Sequence, residues 1–292
     1  MSSYLAYVDG RFVPMPYAKT HITDRGYQFA DAAYEVVTYI NGIALDMDAH
    51  LVRLHRTLDA MKINFKMSDR ALKIVMRTLL ERNNIQTGSV YLQISRGVAP
   101  RAHIYPDDMV PTVVMTCARL TQKALYKNAH VPLKVKTMAD KRHLHCDLKT
   151  VGLMPNILAL RLAREEGFDD AIFIDDKGHI TEGTSWNFWC VSQDNIIKTR
   201  FLDERILHGI TRQTLLGCAK DKGYDVVEGA ISYEELKTAK EAFATSATKF
   251  VRSISVIDDI ILPASYPIAD SLRDAYMQVF FGENIPFEGL ND

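Results

Sequence analysis

The sequence predicts an α+β protein of two domains. The chain has 292 residues, 47% of them hydrophobic and 24% charged, which is enough apolar surface for a large core. Helical patterns grouped with antiparallel hairpins, instead of a strict alternation of strand and helix, indicate the α+β class. The stretch 121–131 is the predicted linker between a smaller domain at 1–120 and a larger domain at 132–292.

Two hairpin signals and two amphipathic helices define the first domain. AYVDGRFV turns at Asp9-Gly10 and VVTYINGIALDM turns at Asn41-Gly42, pairs that tolerate positive φ between β-prone runs. Apolar spacing predicts helices at about 48–62 and 68–83, with Ser68 as a possible N-cap of the second. Strands SVYLQIS and PTVVMTC complete the domain.

The second domain is predicted to open with strand PLKVKT and to continue with a helix from Pro155 to Gly167. DAIFID and NFWCVS are predicted strands joined through the turn Asp176-Lys177-Gly178. Further helices are predicted at about 211–222, at Ser232 with Glu235 completing a capping box, and at about 267–281, with strands AFATS and SISVID between them. The stripe Ile157, Leu158 and Leu162 is expected to pack in the core.

Composition favours small-molecule partners. The net charge is −1 and both signs are mixed along the chain, so no nucleic-acid surface or polybasic membrane patch is expected. No apolar run approaches the length of a membrane span, and the start MSSYLAYVDGRFV lacks a signal-peptide pattern. The four cysteines include no Cys-x-x-Cys pair, so we expect reduced thiols and a cytoplasmic protein.

Lys149, in the segment RHLHCDLKTVGLMPN, is the first candidate for chemistry. A lysine at a strand end is ordinarily a solvated surface charge. A lysine that binds an aldehyde must instead be partly desolvated, so that its amine can be neutral and nucleophilic. Glu182, in TEGTSWN, is the second candidate, since its carboxylate could keep a pyridine nitrogen protonated. The alternative for Glu182 is a solvated turn residue.

Two further elements could bind phosphate. In ILHGITRQTLLG, Gly209 permits close approach of the backbone and Thr211 stands at a helix start, where free N–H groups favour an anion. The alternative is a plain N-cap. In ATSAT, Ser246 and Thr248 follow a strand and could close the same site.

These four elements, in this order, resemble the fold-type IV enzymes that depend on pyridoxal 5′-phosphate (PLP). That group contains the D-amino acid aminotransferases, branched-chain aminotransferases and aminodeoxychorismate lyases. The resemblance covers nearly the whole chain and is closest to the D-amino acid aminotransferases. It is carried by DRGYQFADAAYEVV, HLVRL, SRGVAPRAHIYP, CDLK, TEGTS and ILHGITR.

The resemblance implies a role for each matching residue. Lys149 would be the Schiff-base lysine and proton carrier, and Glu182 the partner of the pyridine nitrogen. The implied phosphate ligands are Arg53, Thr211 and Ser246, with backbone amides from Ile210 and Ala247. Ala247 stands where the resembling enzymes can present a hydroxyl, so only its N–H can serve there.

The loop SRGVAPRAHIYP implies the substrate. The resemblance implies that Arg101 and His103, together with Tyr34, bind the substrate α-carboxylate. It also implies that this loop comes from the neighbouring subunit of a homodimer. A guanidinium can hold a carboxylate through two hydrogen bonds, which agrees with that role. The alternative is a solvated loop. The implied geometry presents the D enantiomer to Lys149.

The sequence therefore predicts PLP-dependent transamination between a D-amino acid and a 2-oxo acid, pyruvate or 2-oxoglutarate. The alternatives are an (R)-selective amine transaminase, a branched-chain L-amino acid aminotransferase, an aminodeoxychorismate lyase and a PLP-binding protein without turnover. Trp186 either fills the core beside Trp189 or narrows the substrate pocket. No metal site is expected, because His143-x-His145 has no third ligand nearby.

Overall fold

The computed structural model describes residues 4–284, which divide into two compact units. The first unit is Met1–Thr121 with Leu148–Gly152, and the second is Gln122–Asp147 with Leu153–Asp292. The predicted linker 121–131 is instead largely a helix of the second unit, Gln122–His130. The segment that carries Lys149 was predicted in the larger domain but belongs to the first unit. None of the helices described within residues 4–284 is both long and apolar enough to cross a bilayer.

In its described residues, the first unit contains an antiparallel sheet, three α-helices and a short 3-10 helix, Met15–Tyr17. Its strands are β1 (Leu5–Val8), β2 (Arg11–Pro14), β3 (Ala32–Ile40), β4 (Ile43–Ala44), β5 (Gly88–Ser95) and β6 (Thr112–Arg119). Its helices are α1 (Arg25–Phe29), α2 (Met47–Ala60) and α3 (Asp69–Arg82). The strand order is β2-β1-β6-β5-β3-β4. Leucines of α2 and α3 pack with β-branched side chains of β3, β5 and β6 to form its core.

Local sequence signals account for these boundaries. Asn41 and Gly42 both have positive φ, 52° and 80°, as a two-residue hairpin turn requires. Ser68 accepts a hydrogen bond from the amide of Ala71 at 3.3 Å and so caps α3, as predicted.

The second unit is built on a larger mixed sheet. Its helices are α4 (Gln122–His130), α5 (Met154–Glu165), α6 (Ile210–Asp221), α7 (Tyr233–Lys237) and α8 (Pro267–Phe281). Its strands are β7 (Leu133–Ala139), β8 (Asp170–Ile174), β9 (His179–Gly183), β10 (Asn187–Val191), β11 (Ile197–Thr199), β12 (Val226–Glu228), β13 (Ile231–Ser232), β14 (Glu241–Ser246), β15 (Phe250–Ile257) and β16 (Ile260–Ile261).

Strand pairing in the second unit closes a ring. Strands β10, β14, β15, β7, β8 and β9 follow one another in the sheet, and β9 also pairs with β10. The closing pair is Glu182 with Asn187. The turn after β8 was expected to lead directly to NFWCVS, but it leads first to β9, so Glu182 lies in a strand and not in a turn.

Helix α5 corrects one expectation. Ile157, Leu158 and Leu162 were predicted to pack in the core, yet they are 64%, 53% and 51% exposed. The helix instead buries Ala159 and Ala163, which pack with Phe173 of β8. The small residues therefore mark the inward face, because they allow close approach to the sheet.

Candidate active site

The predicted site residues fall on both units, and each group is described within its own unit. The first unit holds Tyr34, Arg53, Arg101, His103 and Lys149, and the second holds Glu182, Trp186, Ile210, Thr211, Ser246 and Ala247.

Lys149 is fixed to the start of β3. Its carbonyl accepts a hydrogen bond from the amide of Tyr34 at 3.0 Å, and its own amide donates to the Thr57 hydroxyl at 3.3 Å. The ammonium nitrogen lies 4.3 Å from the centre of the Tyr34 ring. The side chain is half-buried. Lys149 is thus held by its backbone beside an aromatic face, and it is not a freely solvated surface charge.

Arg53 lies in a buried polar cluster that local sequence did not reveal. Its Nε and Nη2 donate to the two oxygens of Glu35 at 2.7 and 2.8 Å, and His50 contacts the same carboxylate at 2.7 Å. Burial alone would raise the pKa of Glu35, but the charge and hydrogen bonds of Arg53, with His50, hold that pKa well below its usual range. Glu35 therefore fixes the direction of the guanidinium for which the family resemblance implies a phosphate contact.

Arg101 and His103 meet on one aromatic ring. The Arg101 guanidinium lies 4.4 Å from the centre of the Phe29 ring, and the His103 ring centre lies 5.8 Å from the same ring. Ala102 lies between them in the sequence, and its carbonyl accepts a hydrogen bond of 2.6 Å from the buried Arg25. The loop backbone is thereby anchored, while both basic side chains remain exposed.

Glu182 is a buried carboxylate surrounded by donors. It is 5% exposed. Oε1 accepts from Nη1 of Arg142, and Oε2 accepts from Asn187 Nδ2 and the Leu207 amide, both at 3.1 Å. Burial raises the pKa of this carboxyl, while Arg142 and the Leu207 amide act to lower it. The net effect is a raised pKa, since burial outweighs the donors that contact the carboxylate.

Arg142 is the main residue that sequence analysis missed. Its guanidinium bridges Glu182 and Asp140, which it contacts at 2.7 Å through Nη2. Burial would lower the pKa of Arg142, but the two carboxylates outweigh it and raise that pKa. Burial likewise acts to raise the pKa of Asp140, but hydrogen bonds from Arg142 outweigh it and lower that pKa. No local pattern separates this arginine from a surface one; only the closed strand ring places it beside Glu182.

The start of α6 offers backbone N–H groups to an anion. Gly209 is its N-cap and no side chain caps this end. A Cβ on Gly209 would lie 1.9 Å from Oδ1 of Asn187, so only glycine allows the helix to begin this close to β10. Ile210 and Thr211 follow, both buried, and Thr211 brings its hydroxyl to the same helix turn.

Ser246 and Ala247 lie where β14 ends. Thr245 of that strand pairs with Asn187 of β10. Asn187, which lies against Gly209, is thus directly beside the end of β14 that carries Ser246. The predicted phosphate elements of the second unit are therefore brought to the same end of the β10–β14 pair.

Trp186 is buried, only 3% exposed. Its indole lies over Gly183, where a Cβ would come within 1.9 Å of the ring. It packs within the cluster that also contains Phe188. This placement favours the packing interpretation over a role in the substrate pocket.

The groups present fit PLP by their chemistry. A half-buried amine, a buried carboxylate paired with arginine, and a helix start with adjacent hydroxyls match an aldehyde, a pyridine nitrogen and a phosphate respectively. Fold and donor set together define an enzyme of the fold-type IV, PLP-dependent class.

Comparison with known proteins agrees. A family model for amino-transferase class IV matches residues 32–257. A D-alanine aminotransferase of Bacillus licheniformis is 34% identical over 259 residues, 89% of this chain and 90% of the relative. The chain therefore belongs to the class IV aminotransferases, and its cofactor is PLP.

Solved structures show the same fold. The branched-chain amino acid aminotransferase of Escherichia coli superposes with a TM-score of 0.89 at 20% identity, covering 99% of this chain and 98% of that one. A PLP-bound hypothetical aminotransferase from Mycobacterium tuberculosis gives a TM-score of 0.81 at 20% identity, covering 94% and 98% of the two chains.

Proposed function

We propose that this aminotransferase transfers the amino group of a D-amino acid to a 2-oxo acid, pyruvate or 2-oxoglutarate. The observation that carries the proposal is the pair Arg101 and His103, exposed side by side on Phe29 above an anchored loop. An exposed, oriented guanidinium with an imidazole beside it is suited to bind a carboxylate. The similarity to D-alanine aminotransferases over most of the chain supports the same substrate class.

Different residues of this chain would bind the cofactor and transfer the proton. When bound, PLP supplies an aldehyde for the substrate amine and a ring that accepts electrons. Lys149 would hold the cofactor covalently, and its amine, once free, would move the proton from the substrate Cα. Glu182, paired with Arg142, would hold the proton on the pyridine nitrogen. Thr211, Ser246 and the amides of Ile210 and Ala247 would bind the phosphate, and Arg53, directed by Glu35, would join them.

A homodimer is part of the proposal. The Arg101 loop carries apolar side chains that this chain leaves uncovered: Ile104 is 89% exposed, and Val98, earlier in the loop, is 49% exposed. A neighbouring subunit packed on this loop would cover both side chains. We propose that this loop binds the substrate carboxylate in the neighbouring subunit.

A direct assay tests the substrate class. The purified protein with PLP is given D-alanine or L-alanine together with 2-oxoglutarate, and pyruvate formation is followed. We expect turnover with the D enantiomer and at least about 100-fold less with the L enantiomer, a discrimination of roughly 3 kcal/mol. Equal or greater activity with L-leucine or L-valine would show a branched-chain enzyme. Activity confined to chiral amines would show an amine transaminase.

A further inference from the structure

Lys249 is a partly buried lysine in the turn between β14 and β15. Its side chain is 18% exposed. The ammonium nitrogen donates to the Ser185 hydroxyl at 3.2 Å and lies 3.4 Å from Oδ2 of Asp170. Lysines are almost never withdrawn from water unless paired, so this position calls for an explanation.

The pairing with Asp170 is loose. Charge-assisted N–H···O contacts are ordinarily about 2.7 to 2.9 Å long, whereas this one is 3.4 Å. The other oxygen of Asp170 accepts from the Thr184 hydroxyl at 2.5 Å and from the Ala171 amide at 2.9 Å. Asp170 is thus held mainly by other partners. Burial lowers the pKa of the Lys249 ammonium, although Asp170 acts to raise it. An anion near this ammonium would improve its pairing.

Lys249 also shapes the turn that carries the proposed phosphate ligands. Its amide donates to the Ser246 hydroxyl at 3.1 Å. Its ammonium reaches Ser185, three residues after Glu182. Lys249 therefore connects the turn at Ser246 and Ala247, through its backbone amide, with the segment that follows β9, through its side chain.

We propose that Lys249 is a positioning residue of the cofactor's phosphate site: it fixes the turn that carries Ser246 and Ala247 and supplies the positive charge that the phosphate needs there. Ala247 has no hydroxyl that could bind the phosphate, so the charge of Lys249, two residues later, contributes more to phosphate binding. The start of α6 contributes partial charge at the same end of the β10–β14 pair. The inference rests on the phosphate site proposed above.

The test compares PLP with pyridoxal, which has the same ring and aldehyde but no phosphate. The full-length protein, freed of cofactor by exchange, is titrated with each compound, and Kd is measured from absorbance. In Lys249→Met we expect Kd for PLP to rise about 10- to 100-fold, the loss of one hydrogen-bonding charge. The Kd for pyridoxal should change less than about threefold. Lys249→Arg should retain most PLP affinity, since it keeps the charge.

Two further variants make the result decisive. Lys237→Met removes an exposed lysine paired with Glu234 in the same unit and should leave both Kd values unchanged. Asp170→Asn combined with Lys249→Met removes both charges. If the double variant regains wild-type PLP affinity, Lys249 only neutralises Asp170 and the proposal fails. Equal weakening of PLP and pyridoxal would also overturn it. Because these measurements follow cofactor binding, their failure is distinguishable from an absence of D-amino acid turnover.

Discussion

At the scale of single residues, charge at Glu182 is set by its neighbours. Glu182 closes the strand ring opposite Asn187, and Arg142 joins it to Asp140. A lone buried carboxylate would become neutral, because desolvation disfavours the charged form. Arg142 and the Leu207 amide oppose that effect and act to lower the pKa of Glu182, although burial keeps it raised. The proposed role at a pyridine nitrogen depends on these donors.

Replacing Glu182 by Gln tests this role. The variant keeps the shape and the acceptor but loses the charge, so the electron-accepting capacity of the ring should fall. We expect kcat to decrease by about 100-fold or more. PLP should remain bound, because the phosphate and lysine contacts are unchanged. The measurement is kcat with D-alanine beside the absorbance of the bound cofactor; near-normal turnover with full occupancy would contradict the assignment.

Sequence reasoning named Lys149 and Glu182 as candidates but did not name Arg142, which contacts Glu182 in the structure. The two were named because short motifs surround them. Asp140 lies outside those motifs, and Arg142 and Glu35 lie inside quoted segments but carry no signal of their own. Their roles follow from strand pairing between distant segments. Such partners become visible only when the tertiary structure brings them together.

At the scale of elements, locally encoded features were predicted well. The capping box of α7 is present, with Ser232 and Glu235 bonding reciprocally, because cap chemistry needs only four residues. Strand β9 was missed, since its five residues follow a turn signal and carry a glycine and a charge. The prediction of which α5 residues face the core was also wrong, because alanines and not leucines pack on β8.

The loop after β5 gives a prediction at this scale. Arg101→Ala removes the guanidinium but leaves the loop anchored, because Arg25 still donates to the Ala102 carbonyl and Arg96 still donates to Asp31. We expect KM for D-alanine and pyruvate to rise about 10- to 100-fold, the loss of one charged hydrogen-bond donor. A small chiral amine has no carboxylate, so its KM should change far less. Parallel losses for amines and amino acids would contradict the carboxylate role.

At the scale of the whole molecule, both units depend on buried carboxylates paired with arginine. In the first unit, Arg53 and His50 lower the pKa of Glu35, whereas Arg96 and Arg25 lower that of Asp31, in each case against the effect of burial. In the second unit the pKa of Asp140 and Asp175 is lowered too, again against burial. A folded-state pKa below the unfolded one stabilises the protein at higher pH, and that contribution is lost as the pH falls.

The free energy of unfolding should therefore be greatest near neutral pH and decline below about pH 4, near the unfolded pKa of aspartate and glutamate. Urea titrations at pH 7, 5 and 3.5 measure this slope. Glu35→Gln should lose about 3 to 5 kcal/mol at pH 7, because Arg53 loses its buried partner. Its acid slope should be shallower than that of the wild type. Glu81→Gln, on the exposed face of α3, is the matched control and should keep both values; an unchanged slope in Glu35→Gln would contradict the assignment.

Subunit complementation tests whether one molecule completes the site of another. Lys149→Ala should be inactive as a separate homodimer. Arg101→Ala, assayed at D-alanine well below KM, should keep about 1 to 10% of the wild-type rate, as its raised KM requires. Mixed after mild dissociation, they form heterodimers in which one subunit keeps Lys149 and the other keeps Arg101. If Arg101 serves the neighbouring subunit, one site per heterodimer is intact, and random mixing of equal amounts should restore roughly a quarter of the wild-type activity. If Arg101 serves its own subunit, no site in the mixture holds both residues and activity stays at the level of the separate variants. A mixture of wild type with Lys149→Ala should keep about half of the wild-type activity with or without subunit exchange, so it controls for losses during the treatment. Native mass spectrometry measures the fraction of heterodimers and establishes that the species are dimers.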